Sequence, residues 1–145
     1  MTVAMMLDAK GHNTVTISQS ETLADAATIL ADRRIGAILA VDENGKMTGI
    51  LSERDIIKFL AKDGAAALEK QISACMTRNV VTCQRRDTID AVRTMMGEGR
   101  FRHVPVMEDG ELAGIISVSD VVKHRMAQVS REAEELKRYI MDGAA

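Results

Sequence analysis

Gly49-Ile50-Leu51-Ser52-Glu53-Arg54-Asp55 returns later in the chain as Gly114-Ile115-Ile116-Ser117-Val118-Ser119-Asp120. Each copy reads as a short apolar strand that runs into Ser-x-x-Asp and then into a helix. The residues behind it agree as well, Ile56-Ile57-Lys58 against Val121-Val122-Lys123. An internal repeat of this length constrains the fold more than any single motif, because one supersecondary unit must serve twice.

The same element order precedes each copy. Thr14-Val15-Thr16-Ile17 is a β-branched run that reads as a strand. Ser20-Glu21-Thr22 supplies capping residues for a helix whose apolar face is Leu23, Ala26, Ala27 and Leu30, reaching to about Arg34. Ala37 to Val41 is an apolar strand, Asn44-Gly45 a hairpin signal, and Met47 to Leu51 the returning strand. In the second half Val81, Thr82 and Thr88 match Val15, Thr16 and Thr22, and Ile89, Val92 and Met96 form the corresponding helical stripe. Val104 to Met107 is the second central strand, where Pro105 must sit at a place that needs no backbone donor. Asp109-Gly110 is its turn. The order is strand, helix, strand, strand, helix, twice over. Val3 to Leu7 and Ile72 to Met76 form a short helical lead-in to each repeat, and Gly64-Ala65-Ala66-Ala67 loosens the end of the first unit. Past Lys123 the helical pattern continues, with Val122, Met126, Val129, Ala133, Leu136 and Ile140 spaced in steps of four and three, an a/d seam. Asp142-Gly143 ends it.

Composition narrows the function classes. Apolar residues make up 46% of the 145 and charged residues 28%, which suits a soluble globular chain, and with aromatics at 2% the core must be aliphatic, with the ten Met as adaptable filler. A formal net charge of −2 and the missing aromatic platforms argue against a nucleic-acid partner. Cys75 and Cys83 are too few for a disulfide framework and are not at a metal-ligand spacing. The N-terminus lacks the basic start of a signal peptide, and no apolar run reaches the ~20 residues of a membrane span. These features point to a cytoplasmic protein with no membrane contact.

A doubled strand–helix–strand–strand–helix unit closing on Gly-Ile-(Leu/Ile)-Ser-x-x-Asp resembles the CBS domain pair, or Bateman module, and does so from about Val3 to Lys123. Arg102-His103-Val104-Pro105-Val106 with Asp109-Gly110 is similar to that family's second-strand motif. The resemblance implies an α/β (α+β) fold of tandem repeats packed by pseudo-twofold symmetry, in the class of stand-alone CBS-pair proteins. Residues 1–70 would be the first repeat with its lead-in, 71–127 the second, and 128–145 a C-terminal helical extension. It also implies clefts between the repeats for an adenosine-containing ligand: AMP, ADP or ATP, NADH, or S-adenosylmethionine. Carried over residue by residue, one cleft would use Asn13, Val15, Ile35 and Gly36 with Ile115, Ser117, Ser119 and Asp120. The other would use Asn79, Val81, Phe101 and His103 with Ile50, Ser52, Arg54 and Asp55. Arg102 stands where the family often has a phosphate-binding basic residue, and Gly36 stands there in repeat one, so the clefts should differ. Leu39 replaces the proline usual in the family at that place of repeat one.

Ser-x-x-Asp suits a nucleotide because a helix N-terminus favours an anion, a Ser hydroxyl adds a donor, and a carboxylate one turn on accepts from ribose hydroxyls. Apolar residues such as Val15 and Ile35 would sandwich the base. The competing structural role is a capping box, in which Ser caps the helix and the acid reaches back to the Ser N–H. One copy alone favours capping; two copies inside this repeat favour the ligand, and both roles can coexist with the acid left free. No nucleophile, acid pair or metal-ligand set points to catalysis, so the expected function is a non-enzymatic regulatory sensor. It would act as a homodimer, joined through its helices or the Met126 to Ile140 stripe unless that stripe folds back as core, and report to a partner protein. The alternatives are a docking module with vestigial clefts and a redox sensor built on Cys75 and Cys83.

Overall fold

Thr22 and Thr88 set the starts of matching helices in the two halves. The computed structural model describes residues 1–143; Ala144 and Ala145, the end of the expected extension, lie outside the described residues. The first half holds β1 (Thr16–Ser18), α2 (Leu23–Arg33), β2 (Ala37–Val41), β3 (Met47–Ser52) and α3 (Glu53–Asp63), preceded by α1 (Val3–Lys10). A 3-10 turn at Gly64–Glu69 loosens the end of α3, as its glycine and alanines suggest. The second half holds α4 (Ile72–Cys75), β4 (Cys83–Gln84), α5 (Ile89–Gly99), β5 (His103–Glu108), β6 (Glu111–Ser117) and α6 (Val118–Gly143). Each half makes one three-stranded mixed sheet, β1-β2-β3 and β4-β5-β6, in which the first pair is parallel and the second antiparallel.

Local chemistry explains the ends of these elements. The Thr22 hydroxyl accepts from the Asp25 N–H and the Asp25 carboxylate accepts from the Thr22 N–H, a complete capping box. Thr88 accepts from the Ala91 N–H, but Ala91 has no carboxylate to return the bond. Asp109 and Gly110 both have positive φ, as a two-residue hairpin requires. In the other hairpin only Gly45 does. There the Asp42 carboxylate, accepting from the N–H groups of Asn44 and Lys46, organises the loop in place of Asn44.

The first strand of each half begins later than the β-branched runs suggest, at Thr16 and at Cys83. The delay is longer in the second half, and Pro105 supplies the reason. Its counterpart Leu39 donates its N–H to the Val15 carbonyl at 3.3 Å. Pro105 has no N–H to offer, so the parallel pairing starts only at Cys83 opposite Val106.

The lead-in helices are exchanged between the halves. Val3, Met6 and Leu7 of α1 are buried with Val92, Val104, Val106 and Ile116 of the second half. Ile72, Cys75 and Met76 are buried with Leu23, Ile38, Leu51 and Ile56 of the first. The backbone repeats the exchange bond for bond. Val3 and Ala4 donate to the carbonyls of Asp87 and Arg85, and Ile72 and Ser73 donate to those of Glu21 and Gln19. Each apolar core is therefore closed by a segment that precedes the other half.

Candidate functional site

The two helices that follow Ser-x-x-Asp begin alike. Ser52 Oγ accepts from the Asp55 N–H at 3.2 Å, and Asp55 Oδ2 accepts from the Ser52 N–H at 2.9 Å. Ser117 and Asp120 make the same two bonds at 3.2 and 2.8 Å, and the Ser117 hydroxyl also donates to Asp120 Oδ2 at 3.0 Å. The capping box thus forms at both copies, and neither aspartate is left free at Oδ2. No hydrogen bond among the described residues uses the Oδ1 of either. The next donors are taken as well: Glu53 N–H bonds to the Gly36 carbonyl and Val118 N–H to the Arg102 carbonyl. Of the free N–H groups expected at each helix start, those of Arg54 and Ser119 remain without a partner among the described residues.

Between the halves lies a cleft of about 710 Å³. Both expected sets of residues line this one continuous space. Asn13 and Val15 approach from the segment before β1, and Ile35 and Gly36 from the turn before β2. Ile50, Ser52, Arg54 and Asp55 come from the end of β3 and the first turn of α3. Asn79 and Val81 precede β4, Phe101 and Arg102 precede β5, and His103 begins it, while Ile115, Ser117 and Ser119 face them from β6 and α6. Asp120 is the exception, for it is not part of the lining. Lys10, at the end of α1, covers it, with Nζ 2.6 Å from Asp120 Oδ2 and 2.8 Å from the Ile115 carbonyl.

Lys10 breaks the symmetry of the site. In the other half no side chain among the described residues bonds to Asp55 as Lys10 does to Asp120; the Thr77 backbone exchanges two hydrogen bonds with Ile50, the residue equivalent to Ile115. Burial would raise the Asp120 pKa, but the bond and charge of Lys10, with the N–H and hydroxyl of Ser117, hold it below the ordinary carboxylate value. His103 shifts down: burial disfavours its imidazolium, the Arg102 charge adds to that, and Asp120 and Glu53 only partly oppose it. Gly36 lies beside this ring, where a Cβ would sit in ordinary contact with His103 Cε1 at 3.4 Å.

The cleft is basic although the chain as a whole is acidic. Lys10, Arg34, Arg54, Lys58, Arg100 and Arg102 line it against two acids, Glu53 and Asp55. A concave surface of one charge focuses its field on an oppositely charged ligand. Sequence reading missed Lys10, Arg34, Lys58 and Arg100. Arg34 and Arg100 carried a signal, for they occupy matching places behind α2 and α5. Both cap their helices in the left-handed region, with φ 55° and 56°, uncommon for a residue other than glycine. Lys10 carried none, because its partner lies more than a hundred residues away in sequence.

The thiols do not contribute. Cys75 and Cys83 are buried in different cores. Burial raises both pKa values, that of Cys83 to about 11 with the help of Asp87. A thiol so protonated is a poor nucleophile at neutral pH, which removes the physical basis of a redox sensor. Among the described residues no group of His, Cys, Asp and Glu is placed to hold a metal ion, and no helix is long and apolar enough to cross a membrane.

Two mixed sheets with exchanged lead-ins, each ending in a capped Ser-x-x-Asp helix on a shared cleft, define a tandem CBS module. The chain belongs to the CBS domain family, whose model matches residues 9–62 and 70–127. The crystal structure of the CBS-domain containing protein ATU1752 from Agrobacterium tumefaciens is 47% identical with a TM-score of 0.84, covering 86% of this chain and 92% of that one. The CBS domain pair of protein MJ0100, solved in complex with 5′-methylthioadenosine and S-adenosyl-L-methionine, is 29% identical with a TM-score of 0.79, covering 88% and 98%. The CBS domain-containing protein CBSCBSPB5 of Arabidopsis thaliana is 32% identical over 124 residues, 85% of this chain, and the chain spans 22% of that relative's length.

Proposed function

We propose that this chain is a non-enzymatic, self-associating cytoplasmic module that binds an adenosine-containing ligand in the cleft between its repeats and passes that state to a partner protein. The observation that carries the reading is the basic cleft on which both Ser-x-x-Asp helix starts converge. Such a surface suits a nucleoside with an anionic substituent: phosphates toward the arginines and the Arg54 and Ser119 N–H groups, base against Val15, Ile35, Val81 and Phe101. The ligand complex of the MJ0100 pair supports the adenosine part of this reading, while the anionic part rests on the basic lining alone. A ligand that touches both repeats favours whichever relative packing gives it more contacts, and that difference is what a partner reads.

Thermal denaturation against AMP, ADP, ATP, NADH, S-adenosylmethionine and 5′-methylthioadenosine tests the reading. A ligand at 100 times its Kd adds about 2.7 kcal/mol to the folded state, a rise in Tm of roughly 5–10 °C for a chain of this size. Asp55→Asn keeps an acceptor for the helix cap but loses the charge; it should weaken binding about tenfold, more than Asp120→Asn, whose carboxylate is already held by Lys10. A second reading has its own support in the capping boxes and the Lys10 contact, which give both aspartates a structural task. It makes the chain a docking module with vestigial clefts. The absence of any shift across the panel would select it.

A further inference from the structure

Only Val121 of the 26-residue α6 is buried, and every residue from Val129 to Gly143 is exposed. That outer part extends for about 22 Å without support from its own fold, a length at which a helix alone in water is marginal. The expected seam lies open along it. Val122, Met126, Val129, Leu136 and Ile140 are between 49% and 67% exposed, far too much for a helix folded back as core. We propose that α6 pairs with α6 of a second copy in parallel and in register.

The charges beside the seam choose the orientation. Val122, Met126, Val129, Ala133, Leu136 and Ile140 alternate as d and a positions, so Arg125 and Glu132 fall at g and Lys123 and Lys137 at e, with Arg125 meeting only the uncharged Ser130 in a parallel pair. A parallel pair sets Glu132 of each chain beside Lys137 of the other, two attractive contacts. An antiparallel pair overlapping the same seam sets Glu132 against its own copy and Lys123 against Lys137, all repulsive. Antiparallel registers that avoid this overlap fewer seam layers. Lys137 is free to turn across the seam: its Nζ lies 3.9 Å from Glu134 within the helix, and both side chains are mostly in solvent. This inference takes up the self-association of the preceding reading and none of its nucleotide chemistry, so the two fail separately.

Sedimentation equilibrium of the full chain at low salt, with charge variants, tests it. Lys137→Glu and Glu132→Lys should each raise the dimer dissociation constant about threefold to tenfold, and the two together should restore it to within about twofold. Ala133→Cys should then form an intermolecular disulfide on mild oxidation, since parallel register sets residue 133 beside its own copy. A monomer at all concentrations, a dimer indifferent to Lys137→Glu, or a dimer tightened by it would overturn the proposal.

Discussion

Lys10 and His103 are the residues that make the two faces of the cleft unlike. Replacing Lys10 with Met leaves the Ser117–Asp120 box but removes the cation, so burial should dominate and the Asp120 pKa should rise above its present depressed value. Carboxyl titration by NMR would read this. Because the folded Asp120 pKa lies below the unfolded one, its contribution to stability is full above the unfolded value and fades as pH falls through the folded value. Lys10→Met should shrink that acid-sensitive part, with a loss of about 1 kcal/mol at pH 7. The sense at His103 follows from the same linkage. Its folded pKa lies below 6.5, so the unfolded chain takes up the proton first as pH drops. Stability should therefore decline as pH falls below about 6.5, and His103→Gln should flatten that decline in denaturant titrations at a series of pH values.

At the level of elements, the exchanged lead-ins depend on two glycines at matching places in β3 and β6. Gly49 faces Ala40 and Gly114 faces Val106, each pair lying where the register shifts. A Cβ on Gly114 would come within 2.6 Å of Leu7 Cδ2, a side-chain tip that can turn aside. On Gly49 it would meet Met76 Sδ at 2.5 Å and the Thr77 carbonyl oxygen at 2.8 Å, and the backbone cannot give way so easily. Both changes to Ala should destabilise by about 1–3 kcal/mol, Gly49→Ala by the larger amount, measured as urea midpoints. The element order, both hairpins and the long last helix were legible from periodicity and turn residues. The shortened β4 was not, because its cause is one missing N–H on the neighbouring strand at Pro105.

Over the whole molecule the exchange ties the repeats into one folding unit. Leu7 is fully buried, yet the core that buries it belongs to the second half. Leu7→Ala should cost about 2–5 kcal/mol and should shift a single cooperative transition, seen alike by circular dichroism and calorimetry. Two separated transitions would show that the halves unfold independently. By itself the sequence determined the repeat, the sheet-and-helix order and the aliphatic core, since each follows from spacing along the chain, and the family resemblance carried by that repeat pointed to many, though not all, of the residues that line the cleft. The tertiary structure alone decided that the lead-ins cross over, that two helix-end arginines join the cleft wall, and that Lys10 rather than solvent meets Asp120. Those contacts join residues far apart in sequence, and they exist only once the two sheets have packed.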